Sequence, residues 1–157
     1  MHLSSRTDIE APIAFVYAAL ADFEGWERAA MRRGADVSRT DKVRAPGVGM
    51  GWVVNFRFRG KERNLEIRLT GMEPDAKLAF SGKGRLLEGD LSVELVALAP
   101  KRTRMVLHTK VRPLTIAARL FLQSMKLAKG RVQGKLNART AQLATDLETR
   151  FASTARR

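Results

Sequence analysis

The sequence predicts an α+β fold in which a long C-terminal helix covers one face of an antiparallel sheet of about seven strands. Apolar and polar residues alternate through much of the chain between residues 37 and 111, which is the period of half-buried strands. From Pro113 to about Phe151, apolar residues instead recur mainly at steps of three and four, which places them on one helical face. A sheet of this kind needs a cover, and this helix is the only element large enough to provide it.

The chain begins with a predicted strand over residues 3–9. Pro12 then favours the first turn of a helix, whose buried stripe we expect to be Ile13, Val16, Tyr17 and Leu20. Asp22 is a suitable N-cap for a second short helix, which runs to about Arg32 and ends at Gly34.

Six further strands follow, separated by short turns rich in Gly and Pro. We place them at residues 37–43, 50–58, 65–69, 78–80, 91–95 and 105–111. Sequential strands with short connections predict an antiparallel meander. The C-terminal helix would extend about 55–60 Å if it were continuous, which exceeds the size of such a domain. We therefore expect a bend, and place it at Gly130 and Gly134. Arg139 and Thr140 interrupt the apolar stripe.

Composition limits the classes of function. The 157 residues, 45% of them hydrophobic, suit one domain spanning residues 1–157. The absence of cysteine excludes disulfides and thiol catalysis, and two histidines do not suggest a metal site. No apolar run reaches the ~18 residues of a membrane span, and the first residues lack a signal core. We expect a cytoplasmic protein without cofactor or metal.

The net charge of +13 is concentrated in one region. Eleven basic and no acidic residues lie between Glu94 and Asp146, whereas the rest of the chain carries 18 basic and 16 acidic residues. Two interpretations stay open. The cluster is either a solvated basic face, or a surface for an anionic partner such as a membrane, a ribosome or another nucleic acid.

Several local signatures occur together in the predicted order of elements. They are Ile9-Glu10-Ala11-Pro12, Val16-Tyr17, Leu20, Asp22, Trp26, and Gly47-Val48-Gly49 leading into the strand of Trp52. With this order, the chain resembles the START-like helix-grip superfamily (SRPBCC), which includes polyketide cyclase/dehydrase-like proteins. The resemblance implies a curved sheet that grips the C-terminal helix, with an apolar cavity between them for a hydrophobic ligand.

The cavity implied by this resemblance has an expected lining of large apolar groups, with Tyr17 or Arg39 near its opening to orient a polar end of the ligand. The candidate residues are Tyr17, Trp26, Arg39, Trp52, Val54, Phe56, Phe58, Phe80, Leu91, Met105, Leu107, Phe121, Met125, Ala128 and Val132. His108 falls on the polar side of its strand, so we expect it to face solvent. No Ser-His-Asp, metal or paired-carboxylate arrangement can be assembled, and Arg39 with Asp41 is best explained as an ion pair at the rim.

We therefore predict a non-catalytic binder of a lipid, quinone or polyketide-like molecule. A cyclase/dehydrase-type enzyme is one alternative, although the sequence reveals no buried acid or base for it. A basic module that docks on an anionic membrane or ribosome is another. Ile116, Leu120 and Leu127 lie away from the buried stripe of the helix, which predicts a homodimer contact or a membrane-touching patch. We do not expect specific nucleic-acid recognition, because the basic region lacks aromatic platforms.

Overall fold

The computed structural model describes residues 1–155, and in this part of the chain seven strands and four helices follow one another in nearly the predicted order. The elements are β1 (His2–Ile9), α1 (Ile13–Leu20), α2 (Phe23–Arg32), β2 (Asp36–Arg39), β3 (Gly51–Phe58), β4 (Lys61–Glu73), β5 (Lys77–Lys83), β6 (Leu87–Ala99), β7 (Arg102–Pro113), α3 (Ile116–Leu127) and α4 (Lys129–Ala155).

The strands form one curved antiparallel sheet in the order β1-β7-β6-β5-β4-β3-β2. Strands β2 to β7 form the predicted meander, and β1 joins at the β7 edge, where Leu3 lies opposite Thr109. The predicted α+β class is therefore confirmed. Strand β2 is shorter than the predicted 37–43, because the chain leaves the sheet after Arg39 in a loop tied by Asp41. The Asp41 carboxylate accepts hydrogen bonds from the Arg39 side chain and from the backbone of Val43 and Gly51.

The two short helices begin and end as their sequences predict. Pro12 is extended and directly precedes α1. The Asp22 side chain caps α2 by accepting a hydrogen bond from the Gly25 N–H at 3.2 Å. Gly34 follows α2 with a φ of +95°, a conformation that glycine adopts without strain.

The C-terminal helix breaks at Ala128, and this corrects the predicted bend at Gly130 and Gly134. Ala128 caps α3 in a non-helical conformation, and α4 begins at the next residue. Both glycines are exposed helical positions with open space around them, so they are not the origin of the bend.

Helix α4 packs along β1 through polar and apolar contacts. Ser5 Oγ donates to Asn137 Oδ1 at 2.9 Å, and Gln133 Nε2 donates to the Ser4 carbonyl at 2.7 Å. Leu147 is 1% exposed and belongs to the main core. The gap in the apolar stripe is closed by Thr140, which is buried and satisfies its hydroxyl by donating to the Leu136 carbonyl. This arrangement leaves the middle of the sheet free to form a cavity.

Candidate functional site

An apolar cavity of about 710 Å³ lies against one face of the curved sheet. This volume falls within the range of about 300–1,000 Å³ that small-molecule pockets occupy. Its apolar lining side chains from the sheet are Val37, Trp52, Val54, Leu65, Ile67, Leu78, Phe80, Leu87, Leu91, Val93, Leu107 and Val111. These residues come from strands β2 to β7, where alternation places every second side chain on the same face. The sheet therefore supplies most of the wall.

Helix α2 forms a second wall through a stripe at helical spacing. Its lining residues are Phe23, Trp26, Glu27 and Ala30, and their spacing of three or four residues places them on one face. The Phe23 ring packs against the Trp52 ring at a centroid distance of 5.5 Å and against the Phe80 ring at 6.2 Å. These aromatic contacts fix α2 over the strands.

Glu27 is the charged residue of the α2 wall. The Trp52 indole Nε1 donates a hydrogen bond to Glu27 Oε1 at 2.8 Å. One such bond leaves further acceptor positions on the carboxylate, so Glu27 can accept a hydrogen bond from a ligand. Thr109 Oγ1, also in the lining, donates to the Asp90 carbonyl at 3.2 Å. The cavity thus combines a large apolar surface with a few polar groups.

Six of the residues predicted from the sequence lie in the cavity wall: Trp26, Trp52, Val54, Phe80, Leu91 and Leu107. Trp26 is 44% exposed although it lines the cavity, so it marks a place where the cavity meets solvent. Its indole Nε1 donates to the Leu20 carbonyl at 3.1 Å, which holds the ring against the end of α1.

The predicted residues of the C-terminal helix, Phe121, Met125, Ala128 and Val132, lie outside the cavity lining. The break at Ala128 is the physical reason, because α3 no longer continues the line of α4. In α3, Ala118 and Leu122 point inward, while Ala128 is exposed. Leu143 is the α4 residue that reaches the cavity in the described part of the helix. The cavity therefore has a less complete helical cover than the sequence suggests.

The remaining predicted residues also lie elsewhere. Phe58 is 51% exposed near the tip of the β3–β4 hairpin, Phe56 is half-buried but outside the lining, and Met105 is fully buried in the core. Tyr17 is buried, and its hydroxyl finds no hydrogen-bond partner among the described residues. Burial, together with the charge of Asp75, raises the pKa of this phenol.

The Arg39–Asp41 pair is present, as predicted, but outside the cavity lining. The Arg39 guanidinium and the backbone N–H of Gly51 hold the pKa of Asp41 well below its ordinary value, so the carboxylate stays ionised. The same guanidinium lies 5.7 Å from the centroid of the Trp52 ring. This pair organises the loop before β3, and Arg39 lies directly opposite Trp52 on the neighbouring strand.

The described residues were also compared with the requirements of a metal site, a membrane-spanning helix and a catalytic histidine. The structure contains no cluster of His, Asp or Glu suited to a metal ion within residues 1–155. None of the described helices has both the length and the apolarity needed to cross a membrane. His108 is exposed on β7, as predicted, and lies outside the cavity lining.

Comparison with solved structures identifies the fold. The Zhui aromatase/cyclase from Streptomyces sp. R1128 aligns over 96% of this chain and 94% of its own, with a TM-score of 0.69 and 14% identity. A START superfamily protein from Mycobacterium smegmatis aligns over 85% of this chain and 95% of its own, with a TM-score of 0.58 and 10% identity. The chain has the START-like helix-grip fold. A protein of Thermus thermophilus shares this helix-grip fold over 98% of this chain and 99% of its own, with a TM-score of 0.67 and 16% identity. No protein-family model matches the sequence, and no curated protein matches it.

Within this helix-grip fold, the sequence pointed to part of the site and missed the rest. The sequence does not predict Glu27 as a cavity residue, because a charged side chain on a short helix is usually solvated. The signal was nevertheless present, since Glu27 lies four residues after Phe23 and three before Ala30, on the stripe that faces the sheet. The pattern predicts strand positions for Leu65, Ile67 and Leu78 but not a place in a cavity wall, because alternation alone does not separate a packed core from a lined cavity.

Proposed function

We propose that this protein, acting as one domain of 157 residues, binds a hydrophobic small molecule such as a lipid, quinone or polyketide-like compound. The observation that carries the proposal is the cavity of about 710 Å³, whose wall consists mainly of apolar and aromatic side chains. A preformed apolar cavity binds an apolar ligand without first breaking packed contacts. The helix-grip neighbours include one named as an aromatase/cyclase, which supports a ring- or chain-shaped ligand of this class.

Titration with a neutral apolar fluorophore such as Nile red tests this proposal. We expect saturable binding with one molecule per chain and an emission shift typical of an apolar environment. The exposed apolar residues of α3 are a second place where the dye could bind, so a variant with Ile116, Leu120 and Leu127 changed to Ser serves as the control. Binding that disappears in this variant would place the dye on the surface, and would argue against an accessible cavity.

The position of Glu27 suggests that the proposed ligand has a polar end that donates a hydrogen bond. The carboxylate lines the α2 wall and has acceptor capacity beyond its bond from Trp52. The other two acidic lining residues, Glu88 and Asp90, are each paired with Arg112. A ligand whose polar end donates a hydrogen bond, such as an alcohol or amine, therefore fits better than a carboxylate. We expect Glu27→Gln to keep the Trp52 bond through its amide oxygen, and to shift the preference between a long-chain amine and a carboxylate of equal length by about tenfold, the size of a charge-assisted hydrogen bond. Displacement of the fluorophore measures both affinities, and an unchanged ratio would show that Glu27 does not contact the ligand.

A cyclase/dehydrase-type enzyme is the second candidate, and Glu27 is also the observation that favours it. A carboxylate in an apolar cavity can act as a general base on a carbonyl compound held next to it. Under this alternative, Glu27→Gln would remove turnover of an aromatic or polyketide substrate while leaving its binding nearly intact. If the protein is only a binder, neither the wild type nor Glu27→Gln converts the substrate.

A further inference from the structure

Helix α3 exposes an apolar face that the rest of the described chain leaves uncovered. Ile116 is 80% exposed, Leu120 62% and Leu127 92%. At 100° per residue these three positions lie within about 40° of one another around the helix axis. Ala118 and Leu122, on the opposite side, are buried against the protein. We call Ile116, Leu120 and Leu127 the α3 face.

Positive charge lies beside the α3 face. Arg119 and Lys126 lie beside it on the same helix, and Lys129, Arg131 and Lys135 follow on the first turns of α4. All five are exposed, and no acidic residue occurs between Glu94 and Asp146. An apolar stripe bordered by Arg and Lys is the pattern of helices that lie in a membrane interface.

The β3–β4 turn extends this surface beyond α3. The Arg59 guanidinium lies 5.2 Å from the centroid of the Phe121 ring and 5.5 Å from that of Phe58, which is 51% exposed. The turn therefore lies beside α3. Arg57, Arg59 and Lys61 are exposed there, with Glu62 as the acidic residue of the turn. Phe121 lies about 100–140° around the helix from the α3 face, so the turn adds basic side chains on the side of α3 away from Arg119 and Lys126.

We propose that this surface docks on an anionic lipid membrane, with the α3 face entering the interface and the basic residues contacting the lipid headgroups. Charge complementarity selects this occupant over a second copy of the chain. A two-fold dimer through the same patch would bring two copies of the basic cluster together, and like charges in contact oppose association. An anionic bilayer instead satisfies both the exposed apolar side chains and the cations.

Vesicle co-sedimentation tests this proposal with the full-length protein. We expect the wild type to bind vesicles made of equal parts phosphatidylcholine and phosphatidylglycerol, and not vesicles of phosphatidylcholine alone. The combined variant Ile116→Ser, Leu120→Ser and Leu127→Ser should bind the anionic vesicles at least about tenfold more weakly. Its control is Val96→Ser with Leu98→Ser, which removes apolar side chains that are 52% and 42% exposed on β6 and should bind like the wild type.

Charge is tested separately from apolar contact. Arg119→Gln with Lys126→Gln should lower partitioning by about tenfold or more, whereas Lys101→Gln with Lys110→Gln removes the same charge from β7 and its turn and should have a smaller effect. All substituted side chains are exposed, and circular dichroism with thermal unfolding checks the fold of each variant.

Three results would overturn the membrane proposal. The first is that the wild type does not bind anionic vesicles. The second is that the α3-face variant binds them as strongly as the wild type does. The third is that the wild type is a dimer in sedimentation velocity and the α3-face variant is a monomer. None of these results concerns the cavity, so the ligand proposal is tested independently of the membrane proposal.

Discussion

Leu147→Ala is expected to lower the free energy of unfolding by about 2–5 kcal/mol, the usual cost of truncating a fully buried leucine. Leu147 is 1% exposed in α4 and belongs to the core that also contains Ile9 and Val16. Removing its side chain leaves a hole between the helix and the rest of the core, and the surrounding groups fill such holes only in part. Urea unfolding monitored by circular dichroism measures the change.

The matched control for Leu147→Ala is the same substitution at Leu127. Leu127 is 92% exposed at the end of α3, and alanine favours helix at least as well as leucine does. We expect its free energy of unfolding to stay within about 0.5 kcal/mol of the wild type. Equal, small effects at both positions would mean that α4 does not pack on the core as described.

Gly82→Leu is expected to fill part of the cavity and to weaken binding of a neutral apolar fluorophore by about tenfold, or about 1.4 kcal/mol, because the new side chain occupies space that the dye needs. Gly82 lies on β5, two residues after Phe80, and both line the cavity. A Cβ added there would lie 3.7 Å from Leu65 Cδ1, an ordinary contact, so the first atom of the new side chain fits. Because Gly82 is part of the cavity wall, we expect the rest of the leucine side chain to extend into the cavity.

The stability of Gly82→Leu separates a cavity from a packed core. Replacing a strand glycine with leucine should leave stability unchanged or raise it by up to about 1 kcal/mol, because glycine loses more backbone entropy on folding. Ser92→Leu is the control, since it adds the same apolar surface to β6 outside the cavity lining and should bind the dye as the wild type does. Strong destabilisation by Gly82→Leu, with dye binding unchanged, would show that the space is not the binding site.

The sequence predicts the sheet well because alternation is a direct consequence of strand geometry. The Asp22 cap and the end of α2 at Gly34 were also predictable, since each depends on a local backbone property. The order of elements then restricts the topology, because sequential strands with short turns pair with their neighbours.

The position of the break in the C-terminal helix could not be predicted from local sequence preferences. Gly130 and Gly134 have the lowest intrinsic preference for helix in that stretch, yet both are helical, and the break falls at Ala128. Tertiary packing decides the position: α3 turns Ala118 and Leu122 toward the protein, while α4 follows β1. Propensity differences of about 1 kcal/mol are too small to oppose such packing.

The same break explains why the cavity wall was only partly predictable. The prediction of a continuous helix places Met125 and Val132 opposite Trp52, Phe56 and Phe58. The cavity wall is instead completed by α2, with Leu20 from α1 and Leu143 from α4. The apolar groups of the sheet could be assigned to the correct face from their alternation. Which of them border open space depends on where the helices lie, and that depends on the whole fold.

Native mass spectrometry of the protein purified from its own host, without denaturation or detergent, tests the central proposal most directly. We predict a second species heavier than the chain by the mass of one small molecule, which organic extraction recovers as an apolar compound. Gly82→Leu purified in the same way should carry less of it, and Ser92→Leu as much as the wild type. A wild-type protein that carries no molecule, and whose cavity takes up no apolar probe at saturating concentration, would contradict the proposal.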